Sequence, residues 1–252
     1  MDEAPLEYSA WAPYNDRIRS EFGFPFEREV AAAELLEALL PESARGDPLP
    51  RIHSRIAGRT AVVVGLAPRT GPPPLWRLPT EPRPPAVLAA DGATATCLDA
   101  GLVPDVVVTD LDGPVAAEVA ANQRGSLVVI HAHGDNQDAL REWVQAFPGE
   151  VAGSWAGPPR ADLLDVGGFT DGDRAAFLAD HAGALRILLW GFDFKRTAPT
   201  DPAAHEVKLA KLTWAERLIG ILASEGHAPI FTWRPDGSLV RYPPGTYDAS
   251  TR

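Results

Sequence analysis

The sequence has little of several features that would each indicate a particular class of protein. Cys97 is its single cysteine, which excludes an internal disulfide and is typical of a reducing cytoplasm. Positive charge is also scarce, since 23 lysines and arginines are set against 34 acidic residues, for a net charge of −11. Nucleic-acid binding depends on Lys and Arg contacts to phosphates, so this composition argues against a nucleic-acid partner.

Long apolar runs and targeting signals are missing as well. No stretch approaches the roughly 18 consecutive apolar residues that a membrane-spanning helix requires. The acidic start MDEAPLEYSAW lacks the basic residues of a signal peptide. The sequence G-x-x-x-x-G-K-[ST] does not occur, so no P-loop is expected. Together these absences predict a cytoplasmic protein without a membrane partner.

The hydrophobic pattern divides the chain in two. Residues 1–57 are expected to be an N-terminal helical segment, with helical patterns at residues 15–22 and 27–40. Residues 58–252 are expected to form a catalytic α/β domain. Inside it, the proline-rich residues 68–85 are best interpreted as a flap that is mobile or becomes ordered over bound nucleotide.

From residue 60 onward, short apolar runs rich in Val and Leu alternate with Ala-rich helical ones. This alternation indicates βαβ units, and we predict a doubly wound, mainly parallel sheet. The expected strands are residues 61–66, 86–90, 105–109, 126–131, 162–166 and 186–192, and the expected helices are residues 93–101, 114–122, 136–146, 172–182 and 204–223. The tail PIFTWRPDGSLVRYPPG predicts a hairpin that turns at residues 235–237.

Polar residues follow several of these strands at the point where each strand ends. Parallel strands share one carboxyl edge, so such side chains converge on a single rim, where open α/β sheets bind ligands. Carboxylates gathered there repel one another, and Mg²⁺ is the usual remedy when a polyphosphate completes its shell. The residues concerned are Asp91, Asp110, Asp112, His131, His133, Asp135 and Asp193.

Two short patterns at this rim are imperfect. VVVTDLDGPV imitates the D-x-D-G-T signature of haloacid-dehalogenase phosphatases, but Pro114 replaces the hydroxyl residue and two predicted strands precede the motif. The run from His131 to Asp135 imitates the metallo-β-lactamase H-x-H-x-D-H, but Asn136 stands where a histidine ligand belongs. Neither pattern fits the whole chain.

A longer pattern covers residues 60 to 223. It consists, in order, of ADGATATCLDAGLVPDVVVTDLDG, VVIHAHGDN, GGFTDGDRAAFLA, GFDF and KLAKL. The chain thereby resembles the archaeal 6-hydroxymethyl-7,8-dihydropterin diphosphokinases, which are similar to thiamin diphosphokinases. The resemblance implies an enzyme that uses ATP and Mg²⁺ to transfer diphosphate to the hydroxymethyl group of the pterin and releases AMP, and it makes a homodimer the expected assembly. One departure is the loop after the first strand, where Gly65-Leu66-Ala67-Pro68-Arg69 replaces the usual Gly-Pro-Ser turn.

The resemblance places the metal and the diphosphate at Asp91, Asp110, Asp112 and Asp135, and His133 or Asp135 is a candidate for accepting the hydroxyl proton. Backbone N–H groups at a helix start are further candidates for binding the nucleotide phosphates. Arg174, Lys208 and Lys211 are the candidate cations, the two lysines lying three residues apart on one helix. The expected nucleotide-binding residues are Gly92, Ala93, Thr94, Gly168, Thr170, Asp171, Arg174, Lys208 and Lys211.

Other interpretations stay open at this level. Asp135, Asp171 and Asp173 are each also suited to capping a helix, and His131 is suited to a hydrogen-bonded place in the core. The acceptor alcohol could be thiamin or another small alcohol rather than a pterin, since acceptor choice depends on pocket shape. A metal-dependent phosphohydrolase and a non-catalytic nucleotide-binding module are alternatives of a different class.

Overall fold

The computed structural model describes residues 8–67, 72–78, 83–196, 201–234 and 236–243. Its helices are α1 (Tyr8–Phe22), α2 (Phe26–Leu39), α3 (Leu49–Ile56), α4 (Ala93–Asp99), α5 (Val115–Gln123), α6 (Gln137–Trp143), α7 (Asp171–His181) and α8 (Pro202–Glu225). Its strands are β1 (Thr60–Val64), β2 (Ala86–Ala90), β3 (Val106–Thr109), β4 (Leu127–Ala132), β5 (Val151–Trp155), β6 (Leu163–Leu164), β7 (Arg186–Trp190), β8 (Ile230–Trp233) and β9 (Leu239–Arg241).

Within the part of the chain that the structure describes, the strands form a nine-stranded sheet in the order β6-β5-β4-β3-β2-β1-β7-β8-β9. All neighbours are parallel except β8 and β9. From β1 the chain builds outward to β6, and α7 then returns beneath the sheet so that β7 pairs with the free side of β1. This reversal confirms the predicted doubly wound, mainly parallel sheet.

Both faces of the sheet are covered by helices, which is why its strands are almost continuously apolar. Val106 and Val108 face a core shared with α1, α3, α7 and α8, whereas Val107 faces a core shared with α2, α5 and α6. The N-terminal helices therefore belong to the same packed layers as the sheet, and the boundary at residue 57 stays a prediction. Within the described residues, no helix combines the length and the apolar composition needed to cross a membrane.

The predicted elements of the sheet are present with small shifts at their ends. At the C-terminal end, β8 and β9 pair antiparallel and the Arg234 N–H donates to the Ser238 carbonyl at 2.8 Å, whereas residue 235 of the predicted turn lies outside the described residues. Of the proline-rich flap, the structure describes a short 3-10 turn at Leu75–Arg77, and residues 68–71 and 79–82 lie outside the described residues. Its closure over nucleotide stays a prediction.

Two elements were missed, and both have weak sequence signals for a physical reason. β5 contains Gly153, a residue that is poor in strands, yet a Cβ at that position would lie 2.3 Å from Leu163 Cδ2 on the neighbouring strand. α3 is short and has prolines at its start, which hides the buried pair Ile52 and Ile56 one turn apart. In both places tertiary packing outweighs local propensity.

Candidate active site

Three carboxylates converge at the carboxyl edge of β2 and β3. Asp91 follows β2, and Asp110 and Asp112 follow β3, and one carboxylate oxygen of each lies within 4.8 Å of the others. The turns that bring them together are tight, because Asp91 and Leu111 adopt left-handed φ values of 42° and 67°. Gly113 is needed beside them, since a Cβ there would lie 2.3 Å from Asp91 Oδ1.

Local hydrogen bonds fix the turn after β3. The Leu111 N–H donates to Thr109 Oγ1 at 2.8 Å, and the Asp112 N–H donates to Asp110 Oδ1 at 3.2 Å. Side chains that bond to their own turn are held in place before any ligand arrives. The strand therefore ends in a rigid loop that presents Asp110 and Asp112 on the same side.

The electrostatics of this group show that negative charge is crowded. Burial, followed by the carboxylates of Asp110 and Asp91, raises the pKa of Asp112 to about 6. Burial, followed by the same two carboxylates, raises the pKa of Asp171 at the start of α7 well above its usual range. Carboxylates that resist ionising together are a typical environment for a divalent cation.

The three carboxylates suit Mg²⁺. In the octahedral shell of that ion, at about 2.0–2.1 Å from the metal, ligand oxygens lie roughly 3 to 4 Å apart. The oxygens of Asp91, Asp110 and Asp112 lie within 4.8 Å of one another, and hard carboxylate oxygens are the donors that Mg²⁺ prefers. These three residues could therefore hold the ion.

His133 lies against this group. Its Nε2 is 3.3 Å from Asp110 Oδ2, and its Nδ1 accepts from the Asp135 N–H at 3.3 Å. Although burial acts to raise it, His133 and the Asp112 N–H hold the pKa of Asp110 below its usual range. Because Nδ1 accepts from the Asp135 N–H, Nε2 is the ring nitrogen whose N–H donates to Asp110.

Asp135 lies outside the carboxylate group. Its side chain is 54% exposed and pairs with Arg28 of α2, at 3.3 Å between Oδ1 and Nη2. The turn that carries it is pressed against α2, since a Cβ at Gly134 would lie 2.8 Å from Arg28 Cβ. The structure does not join Asp135 to the other three aspartates, and its metal-binding role stays a prediction.

The start of α7 contributes one acid and one cation. Thr170 and Asp173 form a capping box, which confirms the helix-capping interpretation for Asp173. Asp171 and Arg174 instead line a pocket beside the carboxylates. Arg174 is 5% exposed, and its Nη2 donates to the Phe169 carbonyl at 3.0 Å while its Nε has no partner. Gly168 is required here, because a Cβ would lie 2.4 Å from Arg174 Cα.

The remaining sequence-predicted residues are placed as follows. Lys211 lines the pocket 5.8 Å from the Phe169 ring, whereas Lys208 is exposed and does not line it. The Thr94 N–H was expected to be free to bind phosphate. It instead donates to the Asp91 carbonyl at 2.9 Å. Gly92 and Ala93 adjoin Asp91, and Asp193 pairs with Arg196 away from the carboxylates.

His131 is buried with Nδ1 3.1 Å from Ser154 Oγ, as expected of a hydrogen-bonded core histidine.

Sequence reasoning missed two acids near the site. Glu118 of α5 is completely buried, and burial, followed by Asp91, raises its pKa to about 9. Glu29 of α2 is 6% exposed and lines the pocket, and burial raises its pKa against the opposing effects of the Gly134 N–H and His133. Glu118 is a single acid in the Ala-rich run of α5, and that contrast could have indicated a special role. Nothing in the local sequence distinguished Glu29 from the other acids of α2.

The pocket itself is a cleft of about 660 Å³ that is partly open to solvent. Its walls come from the ends of β3 and β4, the start of α7, Lys211 of α8 and, unexpectedly, the N-terminal helices. An acidic group that could hold a metal ion lies at the edge of this pocket, with Arg174 and Lys211 nearby, and such an arrangement suits a metal–polyphosphate together with a second small molecule.

Comparisons with known proteins were made at the level of families, of single sequences and of solved structures. The model of a family described as 6-hydroxymethylpterin diphosphokinase MptE-like matches residues 39–198. The 6-hydroxymethyl-7,8-dihydropterin pyrophosphokinase of Methanothermobacter thermautotrophicus is 35% identical over 90% of this chain and 100% of that protein. The protein of the same name from Pyrococcus furiosus is 37% identical over 89% of this chain and 98% of that protein. Among solved structures, the thiamine pyrophosphokinase of Bacillus subtilis matches 69% of this chain and 60% of its own, at 16% identity and a TM-score of 0.35.

Proposed function

Because this chain belongs to the MptE-like 6-hydroxymethylpterin diphosphokinase family, we propose that it transfers diphosphate from ATP to 6-hydroxymethyl-7,8-dihydropterin, in the presence of Mg²⁺, and releases AMP. The observation that carries the proposal is the group formed by Asp91, Asp110 and Asp112 at the edge of a small-molecule pocket. The same premise supports a cytoplasmic homodimer that acts in pterin biosynthesis of the folate or methanopterin type.

In this proposal the three carboxylates hold the metal. Bound there, Mg²⁺ would neutralise phosphate charge and orient the phosphate oxygens. Phosphoryl-transfer chemistry depends chiefly on positioning and charge stabilisation. Arg174 and Lys211 line the same pocket, so they supply positive charge beside the bound phosphates. Asp171 adds a further acid. Burial and the neighbouring carboxylates raise its pKa, so it holds a proton more readily than an exposed aspartate does.

The proton of the acceptor hydroxyl needs a destination during transfer. His133 Nε2 donates to Asp110, so in this arrangement the ring orients a metal-binding carboxylate rather than accepting a proton. Asp135, half exposed at the mouth of the pocket, keeps carboxylate oxygens available to accept one. We therefore propose His133 as a positioning residue and Asp135 as the candidate base.

One assay tests the reaction directly. The protein is incubated with Mg²⁺, ATP and 6-hydroxymethyl-7,8-dihydropterin, and the nucleotides and pterins are separated. We expect AMP and the pterin diphosphate, with no AMP when either Mg²⁺ or the pterin is omitted. ADP would indicate a simple kinase, phosphate formed without pterin a phosphohydrolase, and intact ATP a binding module. A parallel reaction with thiamin as acceptor distinguishes the alternative alcohol.

The two lysines of α8 test how phosphate charge is neutralised. Replacing Lys211 by Met is expected to lower kcat/KM for ATP by about tenfold to a hundredfold, the usual cost of losing a hydrogen bond from a charged group. Lys208→Met, which removes an exposed cation one turn away, is expected to have a smaller effect. Steady-state kinetics at varied ATP measures both. Equal losses would mean that both lysines reach the nucleotide, as the sequence predicted.

A further inference from the structure

The N-terminal helices form one wall of the pocket. Asn15 and Arg19 of α1, Phe24 of the following turn and Glu29 of α2 all line it, across from the start of α7. Glu29 Oε1 also touches the turn after β4, since it lies 3.1 Å from where a Cβ on Gly134 would be. This wall therefore adjoins the loop of His133, whose ring reaches Asp110.

Polar groups on this pocket lack partners. Asn15 is 5% exposed and its Nδ2 has no hydrogen-bond partner among the residues that the structure describes, and the same is true of Arg174 Nε in the same pocket. An unpaired buried donor costs about 1–3 kcal/mol, so such groups usually have a ligand or water to bond with. Glu29 lines the same pocket, and burial raises its pKa although the Gly134 N–H, His133 and Arg19 act to lower it. The wall therefore combines an unused donor on Asn15 with a buried carboxyl group on Glu29.

We propose that this wall is the subsite for the acceptor's heterocycle, with Glu29 binding its 2-amino and N3–H groups and Asn15 Nδ2 donating to its 4-carbonyl. The inference rests on the proposed function and extends it, because it identifies which residues select a 2-aminopyrimidin-4-one ring. Phe24 and Phe169 line the pocket and both pack on Phe22, so they provide aromatic surface for the ring.

The hydrogen-bonding pattern distinguishes this ring from adenine. The 2-aminopyrimidin-4-one edge presents two adjacent donors followed by an acceptor. A carboxylate is an acceptor only and pairs with adjacent donors through two bonds, as it does with arginine. Adenine presents a donor next to an acceptor, which matches an Asn or Gln amide instead. Glu29 beside Asn15 therefore fits the acceptor better than the nucleotide base.

The position of the subsite also suits the reaction. Asp110 lines the same pocket, so a ring held by Glu29 shares the cavity with the carboxylate group that is proposed to hold the metal. The N-terminal helices thereby complete the active site by closing the side of the pocket that the sheet leaves open.

The experiment measures how one substitution in the protein changes its preference between two ligands. Wild type, Glu29→Gln and the control Glu27→Gln, an exposed residue of the same helix, are titrated with 6-hydroxymethyl-7,8-dihydropterin and with its 2-oxo analogue. Protein fluorescence is the readout, with Mg²⁺ and α,β-methylene ATP present. Wild type and Glu27→Gln are expected to prefer the 2-amino compound by about tenfold to a hundredfold. In Glu29→Gln the preference is expected to fall close to one, because the amide presents a donor to the ligand's amino group.

Several outcomes would overturn the inference. If wild type binds the pterin and Glu29→Gln keeps the preference, the subsite is wrong while the proposed function stands. The same conclusion follows if Glu29→Gln weakens only the binding of the ATP analogue. If the wild type binds neither the pterin nor its 2-oxo analogue, whether or not nucleotide is present, the proposed function fails and the subsite with it.

A second variant covers the case in which Glu29→Gln does not fold, as judged by circular dichroism. Asn15→Ala is expected to weaken pterin binding by about three- to tenfold, since it removes one neutral hydrogen bond. The preference for the 2-amino compound should persist, because Glu29 still contacts that group. Unchanged pterin affinity in Asn15→Ala would overturn the assignment of this wall.

Discussion

Replacing Asp110 or Asp112 by Asn is expected to slow AMP formation by about 100-fold or more while the protein remains folded. Each substitution keeps the size of the side chain and removes one negative charge from the group with Asp91. The remaining carboxylates then bind the cation less strongly and place the phosphates less well. Steady-state assays at saturating ATP and pterin measure the loss.

Binding of the cation gives a second readout that does not depend on turnover. We expect Mn²⁺, titrated as a paramagnetic substitute for Mg²⁺, to bind both Asn variants more weakly than the wild type. Asp99→Asn, at the exposed end of α4, is the matched control and should leave both rate and Mn²⁺ affinity unchanged. Near-normal AMP formation in both Asn variants would mean that these aspartates only shape the turn after β3.

The carboxylate group is the part of the site that sequence reasoning could predict. Apolar strands that end in aspartates define which residues share a sheet edge, because the parallel arrangement follows from the βαβ pattern. Asp91, Asp110 and Asp112 lie on neighbouring strands, so agreement in strand direction was sufficient to bring them together.

The same reasoning did not extend to Asp135, which also follows a strand. Its direction depends on how the Gly134 turn packs against Arg28 of α2, a residue more than 100 positions earlier in the chain. Strand periodicity contains no information on that contact. Asn15 and Glu29 were missed for a related reason, since each is one polar residue in an ordinary amphipathic helix and acquires its role only when the helix packs over the pocket.

Glu118 carries the second large prediction, which concerns stability. Its carboxyl group is completely buried, and Asp91 lies close by. Burial, followed by Asp91, raises the pKa from 4.5 to about 9. At neutral pH the folded protein therefore keeps a proton on Glu118 that the unfolded chain releases.

The sign of the pH dependence follows from this difference. Between pH 4.5 and about 9 the folded state binds one more proton at Glu118 than the unfolded state does, so rising pH favours unfolding. The slope for one such proton is about 1.4 kcal/mol per pH unit. Stability contributed by the protonated group is complete below pH 4.5 and is lost progressively up to pH 9. The raised pKa of Asp112 acts in the same direction over a lower range.

Glu118→Gln should remove most of this dependence, because the amide stays neutral in both states and has nearly the same shape. With metal removed by EDTA, we expect the variant to exceed the wild type in unfolding free energy by roughly 3 kcal/mol at pH 7, and to match it at pH 4. Urea unfolding followed by circular dichroism at a series of pH values measures the difference, with Glu142→Gln on the exposed face of α6 as the control. Parallel curves for Glu118→Gln and the wild type would show that Glu118 ionises normally, and that the carboxylate group at the sheet edge tolerates a further buried charge behind Asp91.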